Sequence, residues 1–269
     1  MRYRIRDRPT VRPHVARDAD DARAVGPVSA LLVPATPLLL TGIDPGEPAA
    51  MRHLRALVHD ALRTVEDPVL LVDSSSPSVL GLGGIGIDRG VRRADLAVLE
   101  GEAYRTAIAR EVPVTTSGDH AAAVVLLACV EAGVAPRLVP VGADGAEAEH
   151  ALGASATVIV PLDLSAATHP DGPLAAVAGA DGAEQRFLAA LAGGTPEDVR
   201  TVAAGDLPAS DLTHLRRWCA VRAPRSWTAR CLGGTDVHHV RYRVYTLDPA
   251  PDARTGTGSG ARTGRRVRS

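Results

Sequence analysis

Short, continuous apolar runs alternate along this chain with longer segments of helical periodicity. The runs that predict strands lie at 28–33, 69–72, 112–115, 137–141 and 157–161. Apolar residues at helical spacing predict helices at 48–66, 119–133, 183–192, 196–203 and 208–220. Strands without a polar face are typical of a parallel sheet that is covered on both sides. The sequence therefore predicts one α/β domain with a mostly parallel sheet and helices on both faces.

Composition changes at both ends of the chain. Residues 1–25 are rich in Arg and Asp, and residues 250–269 are rich in Gly, Thr and Arg. Such segments contain too few apolar residues to bury a core, so we expect a flexible arm and a disordered tail. The folded body is predicted to span 26–249 and to end in a long strand over 237–247.

The composition excludes several kinds of chemistry. The sequence contains neither Lys nor Asn, which excludes a Schiff-base lysine, a P-loop lysine and an Asn-containing triad. A net charge of −1 argues against nucleic acid as a partner. Three widely spaced cysteines, no secretory leader and no apolar run of membrane-spanning length predict a cytoplasmic protein without a membrane partner.

Polar residues follow several of the predicted strands. Asp73 ends the second apolar run, Asp119 and His120 begin an apolar helix, and His169 follows the run at 157–161. Ligands bind beyond the carboxyl ends of parallel strands, so these side chains are expected to converge. A histidine there is suited to proton transfer or metal binding, although a structural or solvent-exposed histidine is the commoner case. In the last predicted strand, alternation places His238 on the inward face.

A glycine-rich segment invites a nucleotide-binding interpretation. Residues 81–86 have the GxGxxG spacing, but they follow a polar loop and no helix pattern begins directly after them. That context favours a flexible glycine loop over a phosphate cradle.

The order of these motifs resembles a known family. LLVPATPLLL at 31–40, LLVDSSS at 70–76, Gly118-Asp119-His120 and VIVPLDLSAATH at 158–169 occur in that order. They resemble motifs of the class III extradiol ring-cleavage dioxygenases, within them the actinobacterial branch similar to the catalytic B subunit. The resemblance covers about residues 28–247 and implies oxidative cleavage of a small aromatic diol by Fe(II).

Two expected iron ligands are replaced in this chain. Ala35 stands where the family has its first histidine ligand, and Asp73 or a neighbouring serine stands where it has the second. Asp73, His120 and His169 would together rebuild a set of two histidines and one carboxylate for Fe(II) or another divalent metal. The candidate catalytic residues are His169 and His120. The candidate substrate-binding residues are Asp119, Ser165 and Thr36, and the candidate metal ligands are Asp73 and His238.

Two alternatives to a dioxygenase stay open at this point. A metal-independent relative would bind a small aromatic or carbonyl ligand and use His120 and His169 for proton transfer or hydrogen bonding. A non-catalytic relative would serve as a scaffold. The resemblance also makes a homodimer or a heteromer plausible.

Overall fold

The computed structural model describes residues 28–110, 119–142, 151–152, 156–204, 207–221 and 223–250. The predicted arm, the tail beyond its first residue and the predicted strand at 112–115 lie outside these ranges. The described strands are β1 Ser29–Pro34, β2 Pro68–Asp73, β3 Val79–Gly81, β4 Arg89–Arg92, β5 Val98–Glu100, β6 Arg137–Val141, β7 Thr157–Leu162, β8 Trp227–Val237 and β9 Val240–Pro249. The described helices are α1 Ala49–Arg63, α2 Gly101–Ala109, α3 His120–Glu131, α4 Ala180–Gly193, α5 Pro196–Ala204 and α6 Thr213–Val221.

The main sheet has the strand order β6-β2-β7-β1-β9-β8. The first four strands are parallel, whereas β9 runs antiparallel to β1 and pairs with β8 in a hairpin. The predicted α/β fold with a mostly parallel sheet is therefore confirmed. The carboxyl ends of β1, β2 and β7 lie side by side and form one end of the sheet.

Helices cover both faces of this sheet, as predicted. Alternate residues of β1 point to opposite sides, so that Leu31 and Leu32 belong to two separate cores. The first core is closed by α1 and α3, and the second by α4, α5 and α6. Helix α3 has apolar residues on all sides, and it is accordingly buried along most of its length. Its start is fixed by Asp119, which accepts a hydrogen bond from the Ala122 N–H at 2.9 Å.

The chain's last predicted strand needs correction. His238 and His239 form a two-residue turn between β8 and β9, with φ angles of 51° and 62°. Two positive φ angles are typical of a hairpin turn whose twist matches the flanking strands. His238 is consequently exposed at the tip of a hairpin and does not point inward from a strand.

The glycine-rich segment also forms more regular structure than predicted. Strands β3, β4 and β5 make a small antiparallel sheet, and a 3₁₀ turn at Gly83–Ile85 separates β3 from β4. The turn packs beside the start of α3, which brings the segment to the carboxyl end of the main sheet.

No helix in the ranges that the structure describes combines the length and apolar character required to cross a membrane.

Candidate active site

A cavity of about 680 Å³ lies at the carboxyl ends of the parallel strands. Its walls are formed by the ends of β1, β2 and β7, the 3₁₀ turn, the start of α3 and the start of α6. The residues that line it are Ala35, Pro37, Asp73, Ser75, Ser76, Pro77, Ile85, Asp119, His120, Ala121, Val124, Asp163, Asp211, Thr213, His214 and Arg217. This volume and this mixture of apolar walls and a few charged groups are typical of a small-molecule site.

His120 is held in one tautomer at the first residue of α3. Its Nδ1 lies 3.1 Å from the carbonyl oxygen of Gly81. A carbonyl oxygen only accepts hydrogen bonds, so Nδ1 carries the proton and Nε2 of the neutral ring keeps a lone pair. No side chain among the described residues hydrogen-bonds this Nε2. His120 is thus set up as a proton acceptor or a ligand.

Asp119 and His214 form a second fixed pair in the cavity. His214 Nε2 lies 2.8 Å from Asp119 Oδ1, and His214 is buried. Burial raises the pKa of Asp119, but the hydrogen bond and charge of His214 outweigh it and hold the pKa below its ordinary value. Asp119 is therefore ionised and orients the imidazole. Nδ1 of His214 is buried without a hydrogen-bond partner among the described residues.

The pKa of Asp163 is raised, whereas the pKa values of Asp73 and Asp119 are lowered. It follows β7 directly, and burial together with the neighbouring charge of Asp211 raises its pKa from 3.8 to about 6. The Ala35 N–H donates to Asp163 Oδ1 at 3.3 Å, which opposes this shift only in part. Paired backbone hydrogen bonds between Asp163 and Asp211 hold the two carboxyl groups at the same wall. A carboxyl group of this kind can donate a proton near neutral pH.

Arg217 on α6 supplies the cationic group of the cavity. Its Nη2 donates to Asp73 Oδ2 at 3.2 Å, and its Nη1 lies 3.9 Å from Asp119 Oδ2. Nη1 is buried and has no hydrogen-bond partner in the described part of the chain. Asp73 also accepts hydrogen bonds from the Ser75 hydroxyl and N–H, which hold its pKa below the ordinary value. The ionised carboxylates outnumber the guanidinium, so the cavity favours neutral or cationic ligands over anions.

The structure brings only some of the predicted site residues into the cavity. Asp73, Asp119 and His120 line it, whereas His169, Ser165, Thr36 and His238 are not among its lining residues. His169 lies on an exposed loop, where its ring stacks on that of His239. His238 lies in the adjoining hairpin turn.

Ser165 and Thr36 have structural contacts that explain their positions. Ser165 is fully buried, and its hydroxyl donates to the Pro208 carbonyl oxygen at 2.5 Å. Its N–H donates to Glu184 Oε2 at 2.8 Å. The Thr36 hydroxyl caps the short helix that follows β1 by accepting from the Leu38 N–H, and it also bonds the Tyr242 phenol. Neither hydroxyl is therefore placed to contact a substrate.

The cavity residues do not fit the iron centre that the resemblance implies. Asp73 is engaged by Ser75 and Arg217, and the Nε2 atom of His214 is engaged by Asp119. Within the described ranges, one group of three His, Cys, Asp or Glu side chains lies close enough to share an ion. That group is His169, Asp171 and His239, and it excludes Asp73, His120 and every other lining residue.

Asp163, Asp211, His214 and Arg217 are functional candidates that sequence reasoning missed. Asp163 follows directly on a predicted strand, so its position was readable from the rule that ligands bind at strand ends. His214 and Arg217 are three residues apart and so share one face of α6. Nothing in the sequence indicates that this face turns toward the ends of β2 and β7.

We expect Gly84→Ala to displace His120 without unfolding the protein. A Cβ atom at Gly84 would lie 2.6 Å from both Cε1 and Nε2 of the His120 ring, which is too close. The ring must move, and its hydrogen bond to Gly81 is weakened. Long-range proton–nitrogen NMR spectra of the imidazoles should show loss of the fixed tautomer. Gly193→Ala is the control, since a Cβ atom there meets nothing within 4 Å; an unchanged His120 signal in Gly84→Ala would refute the prediction.

Neither a family model nor a curated protein matches this chain.

Proposed function

We propose that this protein is a cytoplasmic enzyme that transfers protons within a small, neutral carbonyl or aromatic compound, without a metal ion. The observation that carries this proposal is the pairing of a proton acceptor and a proton donor on one cavity. His120 presents a lone pair at Nε2, and Asp163 has a pKa raised to about 6.

The chemistry that fits this pair is enolisation. His120 Nε2 takes a proton from the carbon next to a carbonyl group, while Asp163 donates a proton to the carbonyl oxygen. The product is the enol, and the reverse transfers return a ketone. No electrons enter or leave, so the step needs no oxidant and no cofactor.

Charge and shape support the choice of substrate class. The apolar walls, which include Ile85 and Val124, suit an aromatic or alicyclic ring. Nη1 of Arg217 pairs with Asp119 at 3.9 Å but has no hydrogen-bond partner among the described residues, so it retains a donor for a carbonyl or phenol oxygen. The surrounding carboxylates disfavour an anionic substrate.

We expect His120→Asn to abolish catalysis while the fold is kept. Asn retains a donor for the Gly81 carbonyl oxygen but removes the acceptor at Nε2. The measurement is deuterium incorporation by NMR into a panel of neutral cyclic ketones, diones and phenols in heavy water. Wild type should accelerate exchange, and the variant should lose about 10²–10⁴-fold, as expected for a general base.

A matched control makes this test decisive. His53→Asn changes an exposed histidine on α1 and should leave the exchange rate unaltered. Exchange that is equally fast in His120→Asn and wild type, or no exchange with any member of the panel, would contradict the proposal.

The extradiol activity implied by the resemblance stays a prediction of its own. It requires oxygen uptake with catechols after anaerobic loading with Fe(II). Oxygen uptake that is lost in Asp73→Ala would favour it over enolisation, whereas the absence of uptake would count against it.

Assembly into a homodimer or a heteromer is likewise a prediction, which the mass of the particle in solution tests.

A further inference from the structure

A second group of ligating side chains lies outside the cavity, where the loop after β7 meets the hairpin turn. The imidazole rings of His169 and His239 stack with centroids 3.9 Å apart and planes 9° from parallel. Asp171 Oδ2 lies 3.8 Å from His169 Nδ1. One ligand atom from each of these three residues lies within 4.8 Å of the other two.

The backbone holds these three side chains together independently of any ion. The Gly172 N–H donates to the His169 carbonyl oxygen at 3.0 Å, which closes a tight turn around Asp171. Ser165 and Ala167 anchor the loop because both are buried. The Thr168 hydroxyl donates to the His239 carbonyl oxygen at 3.4 Å and so joins the loop to the hairpin.

The donor set indicates which ions would bind. Two imidazoles and one carboxylate suit borderline divalent metals such as Zn²⁺, Ni²⁺ and Cu²⁺ better than Mg²⁺ or Ca²⁺. Ligand atoms around a tetrahedral zinc ion are about 3.4 Å apart. Because Asp171 and His239 are exposed and His169 is partly so, the two imidazoles have room to rotate out of their parallel stack and point one nitrogen each at a shared ion.

His169 already presents a suitable atom. The Asp171 N–H donates to His169 Nδ1 at 3.1 Å, so Nδ1 carries a lone pair in this arrangement. A metal ion would replace that N–H at Nδ1 and take Asp171 as its next ligand, forming a chelate from residues two apart in sequence.

We propose that His169, Asp171 and His239 form a surface site for a divalent transition metal, with Zn²⁺ as the best-matched ion. Three protein ligands leave at least one position for water. The bound ion would join the loop after β7 to the β8–β9 hairpin. The site shares no residue with the cavity, so the proposal is independent of the enolisation chemistry.

Zinc titration of the tag-free, full-length chain tests this site. Calorimetry should show a single equivalent of Zn²⁺ bound by wild type, and Co²⁺ should give visible absorption bands at the same stoichiometry. His169→Asn keeps an acceptor for the Asp171 N–H, and His239→Asn tolerates the left-handed backbone of the turn. Each variant should weaken Zn²⁺ binding by at least about 10–100-fold, because even the loss of a supporting partner costs that much.

His238→Asn is the matched control, since it lies in the same turn with a positive φ but outside the ligand group. It should bind Zn²⁺ as wild type does. Zinc should also raise the melting temperature of wild type and His238→Asn, but not that of His239→Asn. No Zn²⁺ binding by folded wild type, or equal binding by His239→Asn and His238→Asn, would overturn the proposal.

Discussion

Asp163→Asn is expected to stabilise the folded protein at pH 8 while it removes the proposed proton donor. Burial raises the pKa of Asp163 from 3.8 to about 6, so the folded state resists ionising this group. Below the ordinary pKa the carboxyl group is protonated in both states and causes no penalty. As the pH rises through about 6, wild type loses up to about 3 kcal/mol of stability relative to a residue that does not titrate.

The measurement is the free energy of unfolding in urea for wild type and variant at pH 4.5 and pH 8. Asn keeps an oxygen to accept from the Ala35 N–H, so the main change is the loss of the charge. Other titrating groups contribute equally to both proteins, so they cancel in the difference. The stability of the variant relative to wild type should therefore increase from pH 4.5 to pH 8. Deuterium exchange into the substrate should fall by about 10²-fold or more.

Asp73→Asn is the matched control, because Asp73 titrates below the measured pH range. The hydrogen bonds from Ser75 lower the pKa of Asp73, so its ionised form stabilises the fold above the ordinary pKa of 3.8, and this stability is lost as the pH falls. The pKa of Asp73 is 3.8 in the unfolded chain and lower in the folded protein, so both values lie below pH 4.5, and the difference in stability between Asp73→Asn and wild type should stay nearly constant between pH 4.5 and pH 8. A difference between Asp163→Asn and wild type that does not change with pH would refute the raised pKa.

The central part of the fold was predictable because its signals are local. The apolar runs that became β1, β2 and β7 are continuous and too short for a buried helix, which favours strands that are buried on both faces. Asp119 at the start of α3 was equally readable, since an Asp before an apolar helix is a common cap. These features position Asp73, Asp119 and His120 at one end of the sheet.

The other parts of the fold and of the site depend on tertiary contacts, which leave no local pattern in the sequence. The His238–His239 turn lacks the Asn-Gly signature of a tight hairpin, so the chain from 237 onward looks like one strand. Gly233 and Gly234 are typical of turns, yet they lie within β8 at a bulge. His169 lies outside the cavity because Ser165 and Ala167 are buried in the core, and the chain then turns toward the surface.

Loss of the ion pair between the fully buried Glu184 and the partly exposed Arg241 is expected to cause the largest loss of stability. Glu184 on α4 is fully buried, and Arg241 Nη1 donates to its Oε1 at 2.6 Å. The pair connects α4 to β9, and Glu184 also accepts from the Ser165 N–H. Arg241→Met should cost about 3–5 kcal/mol in the free energy of unfolding, because it leaves a buried carboxylate without its counter-charge.

The double variant separates the cost of an unpaired charge from the value of the pair. Glu184→Gln combined with Arg241→Met removes both charges and keeps an acceptor for the Ser165 N–H, so it should be less destabilising than Arg241→Met alone. Arg92→Met is the surface control, since Arg92 pairs with Asp95 where both side chains are largely exposed, and it should unfold close to wild type. The prediction is wrong if Arg241→Met is no less stable than Arg92→Met.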